Sequence, residues 1–270
     1  LLGMLAIALA IFFYWCFGDD WISIGIFTAC IVFPVSILLE GSLTKIERSR
    51  IFVIYIIAFF VIFFWAAYEQ AGASLTLFAA EQTDRFVLGW EVPASWIQSF
   101  NPFFVVILAA IMPGIWGFLN KRDAEPASPT KQAIGLLLLS LGYLVICFGV
   151  KDTQPGVKVS LIWLTGLYFI HTVGELCLSP IGLSMVNKLT PLRFASLMMG
   201  IWYLSMSTAN KFAGTLSGLY PEDGKVKTLL GFRIETMFDF FMVFVIMSGV
   251  ASLILFLLSK KLQKMMHGVE

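Results

Sequence analysis

The sequence predicts an all-α polytopic membrane protein, and three observations carry that prediction. Hydrophobic residues make up 59% of the 270, with 26 Phe and 8 Trp, while charged residues make up only 13%. Soluble domains run at about 25% charged, so a soluble globular fold is excluded. Eight apolar stretches qualify against the roughly 20 residues that a transmembrane helix needs. The cations gather in alternate loops, as a chain that crosses a bilayer repeatedly requires.

The stretches are about 1–17, 21–39, 51–80, 100–119, 133–150, 159–186, 195–219 and 237–258. Continuous apolar runs of this kind predict helices, since a β-barrel would alternate over segments of about ten residues. The first stretch has no basic lead and no small-residue cleavage site, ending instead in Cys16-Phe17-Gly18-Asp19-Asp20, so it reads as a span and not a signal peptide. The chain opens at Leu1 inside an apolar run without a Met, which predicts a fragment with a segment missing upstream.

Lys45, Arg48, Arg50, Lys121, Arg122, Lys131, Lys188, Arg193, Lys260, Lys261 and Lys264 fall on one side of the eight spans. Arg85, Lys151, Lys158, Lys225, Lys227 and Arg233 fall on the other, and Lys211 within a span completes the 18 cations. The richer side is then cytoplasmic and both chain ends face it. A net charge of +1 leaves no basic field for nucleic acid. Cys16, Cys30, Cys147 and Cys177 all sit in apolar runs with no CxxC pair and no Cys/His cluster, so they read as ordinary buried thiols; no metal or cofactor is expected. The connections leave no room for a soluble catalytic domain. The polar 120–132 region and the loop at 151–158 divide the last six spans three plus three, a pattern common in secondary transporters.

A carboxylate at mid-span costs about 2.5–3.5 kcal/mol, which makes Glu69, Glu175 and Lys211 the informative residues. Trp65, Tyr68, Glu69 and Gly72 recur at i, i+3, i+4 and i+7 and share one helical face. An aromatic packing stripe with a solvated Glu at a helix end would look similar, but Glu69 is flanked by apolar sequence on both sides, which favours a functional role. Glu175 and Ser179 share a face of the sixth span, where Pro180 frees the carbonyl of Leu176. His171, one turn before Glu175, is placed to bond it as a structural pair or as a proton relay. Asn101-Pro102 opens the fourth span, and the default reading of that Asn is a helix cap. Trp202 among Met198, Met199 and Tyr203 reads as packing or as binding. Lys211, nine residues on and about half a turn round the helix, snorkels or pairs with a carboxylate of a gate.

Four segments resemble the signatures of the proton-dependent oligopeptide transporter family, a branch of the major facilitator superfamily, in order and spacing. They are FFWAAYEQAGASLTLFA (Phe63 to Ala79), SFNPFFVVILAAI (Ser99 to Ile111), GELCLSPIGLSMVNKLTP (Gly174 to Pro191) and MMGIWYLS (Met198 to Ser205). The resemblance covers about 46 to 260 and implies the carboxyl-terminal six-helix bundle of a bacterial member. It implies an extra inter-bundle helix pair over 1–44, the bundle over 45–265 and a tail over 266–270. By the same resemblance Trp65 and Tyr68 line a peptide cavity, Asn101 holds the peptide in place of its capping role, and Trp202 is a cavity or gating residue. Glu175 receives the peptide's amino terminus and takes part in proton coupling, with Ser179 one turn below it. Glu69, a proton-coupling or gating residue, pairs across the bundles with a basic residue of the missing half, which also carries the cations for the peptide carboxylate.

The expected activity is proton-coupled symport of di- and tripeptides by alternating access, in a bacterial inner membrane with the carboxyl terminus cytoplasmic. The expected partners are peptide, protons, the lipid bilayer and a missing amino-terminal six-helix bundle. A major-facilitator carrier of another small organic solute or of nitrate is the alternative. An intramembrane enzyme using His171 and Glu175 is remote, since the chain has two histidines and neither HExxH nor GxSxG.

Overall fold

The computed structural model describes residues 2–151, 157–221 and 225–269; Leu1 and most of the predicted 151–158 loop fall outside them. Two helices come first, α1 (Leu2–Phe17) and α2 (Trp21–Leu38). Then follow α3 (Lys45–Tyr68), a 3-10 turn (Glu69–Gly72), α4 (Ser74–Glu81), the short α5 (Ala94–Ile97), α6 (Phe100–Asn120), α7 (Ser128–Val150), α8 (Leu161–Leu189), α9 (Ala195–Ser217) and α10 (Met237–Met265). Small two-stranded pairings tie the loops together: Thr83–Asp84 runs parallel to Val159–Ser160, and antiparallel hairpins join Phe86–Val87 to Trp90–Glu91 and Lys227–Leu229 to Phe232–Ile234.

Local sequence sets the helix starts. Thr44 and Glu47 form a reciprocal capping box at the head of α3, and Thr236 and Asp239 do the same for α10, each satisfying backbone N–H groups that the first turn leaves without partners. Six helical segments are long and apolar enough to cross a membrane: Trp21–Leu38, Lys45–Glu81, Ala94–Asn120, Ser128–Val150, Leu161–Leu189 and Met237–Met265. The chain is a multi-pass membrane protein. Two of the eight predicted spans do not meet that standard, for different reasons. With 16 residues, α1 reaches about 24 Å of a hydrocarbon core about 30 Å thick. With 23 residues, α9 is long enough, but Ser205, Ser207, Thr208, Asn210, Lys211 and Thr215 dilute its apolar character.

The bundle closes around α7, which packs along both α8 and α10. Between α7 and α8 the contact depends on missing side chains. A Cβ on Gly135 or on Gly174 would stand 2.9 Å from the other's carbonyl oxygen, and one on Gly142 would stand 2.3 Å from the His171 ring. Small residues at such positions let helices approach within a membrane, where lipid offers no hydrophobic drive for association. On the α10 side the hydroxyl of Ser140 donates to the carbonyl of Val245 (2.8 Å) and that of Ser252 to the carbonyl of Ala133 (2.7 Å). Gly135→Leu is therefore expected to separate α7 from α8, read as loss of the monodisperse peak on size-exclusion chromatography in detergent, with Ser252→Ala retaining it.

The leading helix pair is fastened to α9. Asp20 caps α2 through Ser23 and also forms an ion pair with Lys211 Nζ (2.5 Å), so Lys211 pairs with a carboxylate of the leading hairpin. Deeper in, Cys30 Sγ lies 2.9 Å from Thr208 Oγ1. The Lys211 hydrogen bond, followed by those from Ser23, holds the Asp20 carboxyl down at about 2. A carboxyl lowered in this way contributes its pairing fully above its unfolded value of about 4 and loses it only as pH falls through about 2. Docking of the pair is thus expected to be the same at pH 5 and pH 7 by limited proteolysis. Thr208→Cys should form a disulfide with Cys30 on mild oxidation, in lower yield when Asp20→Asn is added. Cys147 and Cys177 are buried as expected, whereas Cys16 is exposed: α1 packs chiefly on α2 and buries none of its described residues fully.

Candidate functional site

Three helices bring their polar residues to one point. The α-helical course of α3 stops at Tyr68, placing its ring beside α8; α6 begins at Phe100 so that Asn101 lies in its first turn; and α8 runs unbroken through Pro180, carrying Thr172, Glu175 and Ser179 on one face. Glu175 Oε2 accepts hydrogen bonds from the Tyr68 hydroxyl (2.5 Å) and from Asn101 Nδ2 (2.9 Å). Asn101 Nδ2 also donates to Thr172 Oγ1 (3.1 Å) and approaches the Tyr68 hydroxyl, while Thr172 donates to the carbonyl of Tyr168 (2.7 Å). Asn101 therefore does not cap α6: that position is held by Ser99, which makes no side-chain capping bond.

Thr172 is the participant that sequence reasoning missed. Its spacing of three residues from Glu175 was the available signal, but a lone Thr in an apolar helix most often bonds its own backbone, and Thr172 does that as well.

The remaining predicted residues surround this cluster at different depths. Trp65 is buried and meets the Tyr68 ring edge-on at 5.3 Å between centroids. Glu69 is exposed one residue past Tyr68, and Ser179 is half-buried one turn along α8 from Glu175. Trp202 is buried two turns beyond Glu175, its indole filling the space that a Cβ on Gly182 would occupy. Neither Trp65 nor Trp202 points into lipid. His171 is not joined to Glu175: its Nε2 meets the carbonyl of Leu139 (3.1 Å) and its ring lies 4.8 Å from that of Tyr143. The reason is Gly142, whose missing Cβ lets the imidazole sink against α7. Among the described residues, no basic group pairs with Glu69 or Glu175.

Two open cavities, of about 890 and 810 Å³, lie elsewhere. One sits between α6 and α8, beside Trp116, Lys131 and Pro180, and the other between the leading helix pair and α3 and α9. Neither is lined by any of Trp65, Tyr68, Asn101, Glu175, Ser179 or Trp202. Within the site Tyr68, Asn101 and Glu175 bond one another, and the two indoles are packed into the bundle.

Such an arrangement supplies a carboxylate held by neutral donors, in a partly apolar setting where an organic cation would be attracted and a free anion repelled. The family model described as "PTR2: POT family" matches residues 15–230. The peptide transporter YePEPT of Yersinia enterocolitica is 37% identical over 185 residues, 68% of this chain and 36% of that protein. Dipeptide and tripeptide permease A of Escherichia coli is 30% identical over 218 residues, 81% and 43% of the two chains. A mutant peptide transporter POT solved in complex with alafosfalin superposes with a TM-score of 0.78 at 29% identity, covering 99% of this chain and 52% of that one. A POT family transporter in complex with 5-aminolevulinic acid gives 0.76 at 27%, covering 97% and 52%. The chain spans less than half the length of these curated relatives and about half of the solved chains.

Proposed function

The chain belongs to the POT family, and from that premise we propose that it is the carboxyl-terminal half of a proton-coupled symporter of di- and tripeptides. On this reading residues 45–265 form the second six-helix bundle, 1–44 the extra helix pair and 266–270 a tail that ends in the cytoplasm of a bacterial inner membrane. The observation that carries it is the convergence of Tyr68 and Asn101, from two other helices, on the Glu175 carboxylate, with which no cation among the described residues forms an ion pair. A peptide zwitterion needs an anion for its ammonium group, amide-matching donors and acceptors for its backbone, and cations for its carboxylate. This chain offers the first two: Glu175, with Ser179 below it, for the ammonium, and Asn101 for the backbone. Trp65, Tyr68 and Trp202 supply apolar walls that tolerate varied side chains. Glu69, on the exposed edge, faces the surface where the partner bundle would bring a basic residue.

Alternating access then moves the two bundles about a substrate held between them. Symport requires the proton and the peptide to cross in the same step, so on this reading a carboxylate of the wall, Glu175 or Glu69, takes up the proton while the peptide is bound. A nitrate carrier fits less well, because the two carboxylates would repel an anion unless the other bundle overwhelmed them. Uptake of a labelled dipeptide into proteoliposomes of the complete transporter, with and without an inward proton gradient, tests the reading. Gradient-independent uptake, or uptake of nitrate in preference to dipeptide, would overturn it.

A further inference from the structure

The span Lys45–Glu81 is not one helix. Its α-helical part ends at Tyr68, a 3-10 turn covers Glu69–Gly72, and Ala73 leaves helical geometry altogether (φ −129°, ψ −103°) before α4 begins at Ser74. Inside a bilayer the backbone around such a break is held by donors from within the protein. Two buried side chains provide them. Gln70 Nε2 donates to the carbonyl of Ala66 (3.1 Å) and, across to α9, to that of Ala213 (3.0 Å), while Gln70 Oε1 accepts from the Ser74 hydroxyl (2.6 Å). The hydroxyl of Tyr143, on α7, donates to the carbonyl of Ala67 (2.6 Å). Gln70, Ser74 and Tyr143 are all fully buried.

Ala66 and Ala67 immediately precede Tyr68, so these bonds fix the backbone that aims the Tyr68 hydroxyl at Glu175. Tyr143 is itself packed against two rings, tilted on His171 and stacked on Phe244, each at 4.8 Å between centroids. His171 thereby acquires a structural place, packed against Tyr143. We propose that Tyr143 and Gln70 are positioning residues of the substrate site, acting through Tyr68. They touch no substrate. This rests on the reading of Tyr68, Asn101 and Glu175 as the substrate wall.

A double-mutant cycle in proteoliposomes of the complete transporter tests it, with KM and Vmax measured for labelled dialanine. Tyr143→Phe keeps the ring and its stacking and removes only the bond to Ala67. It is expected to raise KM about fivefold, the worth of one hydrogen bond, with Vmax within a factor of two. In a Tyr68→Phe background the same change should have no further effect, since the hydroxyl being aimed is gone. Gln70→Asn, one methylene too short to reach Ala213, should show the same dependence on Tyr68 and carries the test if Tyr143→Phe is not recovered folded. An equal rise in KM in both backgrounds, an unchanged KM in Tyr143→Phe, or failure of both variants to fold would each overturn the proposal. A Tyr68→Phe variant with the wild-type KM would instead overturn the substrate-wall reading itself, and the positioning role would fall with it.

Discussion

Glu175→Gln is expected to abolish uphill accumulation of peptide by the complete transporter while leaving slow exchange down a peptide gradient. The amide is isosteric with the carboxylate, and its oxygen still accepts from Tyr68 and Asn101, so the wall keeps its shape. What disappears is the group that carries charge. An ammonium bound by a charge-assisted hydrogen bond gains about 1.5–3 kcal/mol, so peptide KM should rise roughly ten- to a hundredfold in the Gln variant. The loss of accumulation is larger, because an amide takes up no proton in the physiological range and a proton gradient then has nothing to act on at this site. Counterflow measured with equal internal and external pH separates the two effects. If the Gln variant still concentrates dipeptide when a pH gradient is imposed, Glu175 does not couple the proton.

The elements of the bundle were legible because the membrane enforces a length and a polarity on each of them. The features that were not legible come from side chains whose partners lie far off in sequence. Glu69 and Glu175 announce themselves by their cost in an apolar run, and Tyr68 by sharing a helical face with Glu69. Tyr143 and Gln70 do not: one is a lone aromatic in an apolar helix, the other a neutral amide, and their bonds to Ala67 and Ala213 span 76 and 143 residues. Asn101 shows a local rule yielding to a tertiary one. Its position at the head of α6 reads as a cap, but the bond offered by Glu175, a charged acceptor, is worth more than one exposed backbone N–H. His171 shows the reverse, a spacing that fits Glu175 being defeated by a glycine on a neighbouring helix. The polar face of α9 reads as a weakened span when taken alone; in the structure Thr208 and Lys211 are where the leading helix pair is fastened.

The isolated chain should bind dipeptide at least about thirtyfold more weakly than the complete transporter. Its wall contains the carboxylate for the ammonium, but among the described residues no cation stands near Glu69 or Glu175 to take the peptide's other end. Leaving one member of a charge pair without its partner typically costs 2–5 kcal/mol, or roughly thirtyfold to several thousandfold. The loss should be specific to the carboxylate: a dipeptide amide, which has no anion to satisfy, should bind the isolated chain about as well as the free acid does, while the complete transporter should prefer the free acid strongly. The helices do not need the partner in order to insert, since insertion precedes association, and the contacts of α7 with α8 and α10 lie wholly within this chain. Weak binding would therefore reflect a divided site and not an unfolded one, which circular dichroism of the same sample checks. Isothermal titration of dialanine and of its amide into both proteins decides the matter: equal affinity of the free acid for the isolated chain and the complete transporter would show that the groups gripping the carboxylate already reside in this half.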